Sequence, residues 1–162
     1  MRVYRVLHPR HAETPLDGEG SFRFGGRWSS PGTRVAYTSS TSSLAKIEYL
    51  IHSPEDLLPA TELRICVIDV PDKTRRRIVD EDTLPSNWRD VPGPVGLQTI
   101  GDEWIRKAEE AVLDIPSIHV ATGIPERNFL ISPQHSDVRW IKVVARLPFL
   151  YDARLLRRPR RK

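Results

Sequence analysis

The sequence predicts a single α+β domain. Its apolar runs are mostly of strand length and are bounded by proline, glycine and serine. Only two or three stretches carry helical periodicity. Those helices do not alternate strictly with the strands, which argues against a doubly wound parallel sheet.

Each element has its own local evidence. Residues 1–9 alternate around Val3, Arg5 and Leu7, which predicts a strand ending at Pro9. Residues 10–23 are polar, contain Gly18 and Gly20, and are expected to form a loop. Residues 24–30 suggest a short strand stopped by Ser30-Pro31-Gly32, and residues 35–38 the next one. The hydroxyl-rich run 39–43 is a helix start signal before Leu44, Ile47, Leu50 and Ile51, which share one face. Ala45, Glu48 and His52 form the neighbouring stripe, so Glu48 is expected to border the buried face, with Pro54 ending the helix.

Residues 63–70 suggest a long strand that is apolar on both faces, and 75–79 a short or edge strand. Residues 83–96 are too rich in proline and glycine for regular structure, and long loops of this kind are commonly functional. A helix is expected with Asp102 near its start and Trp104, Ile105, Ala108 and Val112 on one side. Pro116 then leads into an expected strand at 118–121, followed by a loop at 126–134. The strongest strand pattern spans 138–147. No internal repeat or domain boundary is visible. Residues 1–155 are expected to form one domain, and 156–162 a basic, disordered tail.

At 162 residues, 39% hydrophobic and 28% charged, the composition is that of an ordinary globular protein with a real core. The net charge of +4 is local: the last six residues hold five positive charges, and without them the rest is near −1. The body therefore lacks the basic surface of a dedicated nucleic-acid binder. No apolar run has the length of a membrane span, and no apolar leader is visible at the start. The single cysteine, Cys66, excludes an internal disulfide. A cytoplasmic location without membrane association is the expectation.

The stretch richest in chemistry is Gly25-Gly26-Arg27-Trp28, with Tyr37 and Glu48 following it. Glycine permits close backbone approach, and arginine offers a planar fork of donors for phosphate oxygens. Arginine, aromatic ring and carboxylate suit a pyrophosphate nucleotide and a sugar cation. The same residues also suit a plain turn, with Arg27 in water and Trp28 in the core. The five histidines, His8, His11, His52, His119 and His135, show no metal-ligand spacing, and no metal is expected. Ser117 lacks the Gly-x-Ser-x-Gly elbow of a hydrolase nucleophile. No dinucleotide fingerprint or P-loop occurs.

A joint pattern runs in order over nearly the whole chain. It comprises Tyr4-Arg5-Val6, Gly25-Gly26-Arg27-Trp28, Tyr37, Ala45-x-x-Glu48, Ile115-Pro116-Ser117, Asn128-x-Leu130-x-Ser132-Pro133-x-His135 and Tyr151-Asp152-x-Arg154-Leu155. This resembles the RES domain family, named for an arginine, a glutamate and a serine. The resemblance implies a fold like the diphtheria-type ADP-ribosyltransferases, with central mixed or antiparallel sheets and few helices. It implies the toxin of a type II toxin–antitoxin pair that breaks the nicotinamide–ribose bond of NAD⁺ by water or by phosphate and so arrests growth. NAD⁺ is then a substrate, and no cofactor is implied.

By the same resemblance Arg27, Tyr37 and Glu48 are expected to be catalytic. Arg27, Trp28, Tyr37, Ser39, Ser117 and Asn128 are expected to bind substrate. Position 132 departs from the family pattern, which usually has asparagine there. The implied partner is an Xre-like antitoxin that blocks the active site, with DNA reached only through it; homo-oligomerisation is left open. Two other readings stand beside this one: an ADP-ribosyltransferase modifying a protein, and a non-catalytic binding module acting through the basic tail.

Overall fold

The computed structural model describes residues 1–53 and 62–156. The elements run β1 (Arg2–Leu7), α1 (Glu19–Phe24), β2 (Ala36–Ser39), α2 (Ser42–Ile51), β3 (Leu63–Asp69), β4 (Arg76–Ile78), α3 (Val95–Lys107), β5 (Val112–Pro116), β6 (Arg127–Ile131) and β7 (Lys142–Phe149). The expected helix stop at Pro54 and residues 157–162 of the expected tail lie outside the described residues.

All seven strands join one sheet in the order β4-β5-β6-β2-β1-β3-β7. Every pairing is antiparallel except β4 with β5. The chain is therefore α+β with a mixed sheet and few helices. One apolar cluster gathers Val3, Ala36, Ile68, Val112 and Ile131 across the strands. A second packs Trp28, Val35, Leu97, Trp104, Leu113 and Leu130 between the sheet and α3. A third, smaller one joins Ala45 of α2 to Val6, Leu63 and Tyr151.

Several elements differ from their sequence expectation. Residues 24–30 are not a strand: α1 ends at Phe24, and Gly26 to Ser29 form a tight turn closed by backbone bonds in both directions. Gly25 sits at φ 70°, a left-handed conformation that glycine adopts without strain. The helix expected near Asp102 begins at Val95, so Asp102 lies well inside it. Its two glycines make it look broken in sequence. Gly101 is needed because a Cβ there would lie 1.7 Å from the Trp28 carbonyl oxygen.

The strand expected after Pro116 lies before it, and residues 117–120 form a turn. The expected loop at 126–134 contains β6, a strand in the middle of the sheet. Residues 136–140 form a 3-10 turn, so β7 starts later than its apolar pattern suggests. On α2, Leu44 and Ala45 are buried while Ile47 and Ile51 are 43% and 53% exposed. The inward face of α2 is thus rotated toward the Ala45–Glu48 stripe.

Candidate functional site

Glu48 is positioned by α2. The helix starts at Thr41, whose Oγ1 accepts from the Leu44 amide at 3.1 Å. Ala45 anchors the same face one turn before Glu48, and the Tyr151 hydroxyl donates to the Lys46 carbonyl at 2.5 Å. The carboxylate thus emerges beside the sheet instead of into open solvent, with its side chain 25% exposed.

The sheet register brings the partners. Ser39 on β2 faces Asn128 on β6, and Asn128 in turn faces Ile115 on β5, two residues before Ser117. Ser39 Oγ donates to Asn128 Oδ1 at 2.8 Å. The Asn128 amide is therefore oriented with its NH₂ toward Glu48, and donates to Glu48 Oε1 at 2.5 Å. Ser117 Oγ donates to the same oxygen at 2.9 Å and accepts from the His119 amide at 3.2 Å. Two donors on Oε1 fix the carboxylate in rotation and leave Oε2 as the less engaged oxygen. Among the described residues the charged partner of Oε2 is His119, whose Nε2 lies at 3.7 Å.

The Gly26–Ser29 turn is built with equal care. Tyr37 Oη accepts from the Trp28 amide at 3.1 Å and lies 2.9 Å from Ser29 Oγ. A side chain at Gly26 would run into Tyr37, since a Cβ would lie 2.6 Å from its hydroxyl. From α3, Gln98 Nε2 donates to the Gly26 carbonyl at 3.0 Å, and Asp102 Oδ1 accepts from the Ser30 amide at 3.0 Å. Trp28 is buried in the cluster under the turn. Burial pushes the Tyr37 hydroxyl up to about 12, so it stays a neutral hydrogen-bonding group at physiological pH.

Arg27 leaves this turn toward the 83–96 loop. Its Nη1 donates to the Trp88 carbonyl and its Nη2 to the Asp90 carbonyl, each at 2.9 Å. Burial lowers the guanidinium from its usual value, while the charges of Glu48 and Asp90 act the other way. Gly93 also lies against it, since a Cβ there would come within 2.7 Å of Nη1. Among the described residues these two bonds engage two of the five guanidinium hydrogens, leaving three for other acceptors.

Thus Tyr37, Trp28 and Arg27 meet at the turn, and Glu48, Ser117, Asn128 and Ser39 form one hydrogen-bonded chain. The Arg27 and Glu48 groups are linked electrostatically. Ser132, at the departing position, is buried at the end of β6, and its amide donates to the Ala111 carbonyl at 2.9 Å.

Sequence reasoning missed two residues. His119 was visible only as one of five scattered histidines, although its place two residues after Ser117 was a signal. Arg89 lay unremarked inside the long loop. It donates to the Ile118 and Val120 carbonyls at 3.3 and 3.0 Å, contacts Glu81, and stacks on Trp88 at 4.3 Å. The residues Trp88 to Asp90 therefore tie Arg27 to the turn that carries Ser117 and His119. Among the described residues no group of three or more histidine, cysteine, aspartate or glutamate side chains converges as a metal site would, and no helix is long and apolar enough to cross a membrane. Clefts of about 460 and 440 Å³ lie around Met1 and Asp72 and share no lining residue with this constellation.

The seven-stranded mixed sheet with its few helices is a fold shared with a solved toxin–antitoxin structure. A chain of the M. tuberculosis MbcT–MbcA toxin–antitoxin complex superposes with a TM-score of 0.70 at 19% identity, over 92% of this chain and 84% of that one. Residues 2–152 match the RES domain, and the chain belongs to the RES domain family. A protein called Toxin Res from Photorhabdus laumondii is 34% identical over 97% of this chain and 98% of its own length. The Toxin Res of Yersinia enterocolitica is 32% identical over 96% and 99%. A Sphingobium protein called Prs ADP-ribosylating toxin is 31% identical over 88% of each.

Proposed function

We infer that this chain is the toxin of a toxin–antitoxin pair and that it cleaves the nicotinamide–ribose bond of NAD⁺. Family membership, the relatives named Toxin Res and the toxin–antitoxin neighbour support the first part. The observation that carries the second is the clamped carboxylate: Ser117 and Asn128 both donate to Glu48 Oε1, so Oε2 is aimed and available.

Breaking that bond builds positive charge on the ribose ring, as glycoside cleavage does. A fixed carboxylate beside the ring stabilises that charge without reorganising during the reaction. Arg27 keeps donors free for pyrophosphate oxygens while two others hold the loop. The Tyr37 ring supplies an aromatic surface for the nicotinamide, and its hydroxyl keeps the Arg27 turn in place. Trp28 acts from beneath that turn. Ser39 acts through Asn128 by setting its amide orientation. Residues 1–155 suffice for this chemistry, and the basic tail is dispensable to it. An Xre-like antitoxin covering the site would silence the toxin in the cytoplasm.

Incubating the protein with NAD⁺, with and without phosphate, and identifying the products by mass tests this directly. Nicotinamide release is expected from the wild type. Glu48→Gln keeps the shape but removes the charge, and kcat should fall about 10²–10³-fold while NAD⁺ binding persists. A Glu48→Gln protein with near wild-type kcat would return this glutamate to a structural role. A second reading, transfer of ADP-ribose to a protein, draws support from the name of the Sphingobium relative. Its mark would be a mass gain on a protein acceptor, with nicotinamide released only when that acceptor is present.

A further inference from the structure

We propose that His119 is a catalytic base, and that Glu48 Oε2 and His119 Nε2 together hold and deprotonate a water molecule that attacks the ribose. This rests on the NAD⁺-cleaving reading above and sharpens it to hydrolysis.

The geometry comes first. Nε2 and Oε2 are 3.7 Å apart, too far for a direct hydrogen bond but close enough for one oxygen to lie within reach of both. Both acceptors are partly open, at 21% and 25% side-chain exposure, so water can enter. Glu48 cannot rotate away, because Oε1 holds two donors. The His119 backbone is fixed as well. Its amide is bound to Ser117 Oγ, and Arg89 holds the carbonyls on both sides of it, at Ile118 and Val120. Charged groups around this corner are Glu48 from α2, Arg27 from the turn and Arg89 on the flanking carbonyls. Water can donate one hydrogen to each acceptor, whereas a phosphate oxygen that already carries charge has no proton to give.

The step balances. The water O–H bond facing Nε2 breaks and its proton moves to the imidazole. The oxygen forms its bond to the anomeric ribose carbon. The carbon–nitrogen bond breaks with its electron pair going to the pyridinium nitrogen, and nicotinamide leaves neutral. The resulting imidazolium sits beside the Glu48 carboxylate, which stabilises it.

The test compares wild type with His119→Gln, in which the side chain can hydrogen-bond but cannot take the proton, and the backbone partner of Ser117 is untouched. Nicotinamide release is measured with no phosphate and with excess phosphate, together with KM for NAD⁺ and a thermal melt. Phosphate-free kcat should fall about 10²-fold or more, within the usual range for general bases. KM should stay within about twofold, and any phosphate-dependent turnover should fall far less. Equal loss under both conditions, no loss, or a wild type that works only with phosphate would overturn the assignment. A wild type that releases no nicotinamide at all overturns the function itself and His119 with it, so the two failures are distinguishable.

Discussion

The two halves of the sheet are held together by different means. On one side β1, β3 and β7 form long ladders, with β1 paired to β3 from Arg2↔Asp69 to Leu7↔Arg64. Their core is apolar, with Val3, Cys66 and Ile68 fully buried. On the other side β4, β5, β6 and β2 are short, and loops between them carry the site. There arginines bind carbonyls of irregular backbone, Arg27 at Trp88 and Asp90 and Arg89 at Ile118 and Val120, while Arg127 bridges the Val79 carbonyl and the Asp114 carbonyl of β5. Arg127 also pairs with the buried Asp114 carboxylate, which a buried charge requires. Long ladders make a rigid frame, and cation-to-carbonyl clips let irregular backbone hold side chains in place without strands. The site sits where local regularity has been given up.

The largest effect should come from removing the aromatic support of the clipped half. Trp104 is fully buried between α3 and the sheet, and its Nε1 donates to the Glu110 carbonyl at 2.9 Å. Trp104→Ala should cost about 3–5 kcal/mol, read from urea unfolding. Ile68→Ala in the ladder half should cost a similar 2–5 kcal/mol. The two should part in activity. Folded Ile68→Ala protein should retain near wild-type kcat, while folded Trp104→Ala should lose most of it, because α3 holds the Arg27 turn through Gln98 and Asp102. Equal kcat in the two variants would mean that the halves are not functionally separate.

The same division explains what was readable in the sequence. β1 and β3 were legible because apolar alternation and apolar runs are local signals. So was α2, whose hydroxyl cap precedes its periodicity. Arg27, Tyr37 and Glu48 stood out through the ordered RES-like pattern, since their residue types alone also suit a plain turn, and their roles are the proposal made above. β6 was hidden because its first two residues, Arg127 and Asn128, serve Asp114 and Glu48 instead of a core. The start of α3 was hidden by Gly101, a residue chosen for a contact with Trp28 that is distant in sequence. His119 had one weak local mark, its place two residues after Ser117, and its meaning depends on Glu48, which approaches from another element.

Gly101→Ala is a finer probe of the same dependence. Its Cβ would overlap the Trp28 carbonyl, and overpacking of this kind costs about 1–3 kcal/mol. The turn should be displaced before the sheet is. KM for NAD⁺ is therefore expected to rise more than the melting temperature falls, because Arg27 leaves that turn. A variant that loses stability with an unchanged KM would show that α3 and the turn move together without moving the site.

The smallest expected effect separates two tyrosines, Tyr151 buried and Tyr37 half-buried, one serving each kind of support. Burial pushes both Tyr37 and Tyr151 up to about 12, against about 10 for a tyrosine in an unfolded chain. The folded state holds these protons more tightly than the unfolded state. Their contribution to stability is thus fully present below about pH 10 and is lost as pH rises toward 12. Tyr37→Phe and Tyr151→Phe should each flatten the alkaline fall in urea midpoint by comparable amounts. At neutral pH they should differ. Tyr151 donates to the Lys46 carbonyl, which its own helix also satisfies, so its loss leaves no orphan. Tyr37 accepts from the Trp28 amide, and its removal strands that donor beside Arg27 at a cost of about 1–3 kcal/mol. Nicotinamide release at pH 8 should therefore fall several-fold in Tyr37→Phe and stay near wild type in Tyr151→Phe. Equal activities would show that the aromatic ring of Tyr37 matters and its hydroxyl does not.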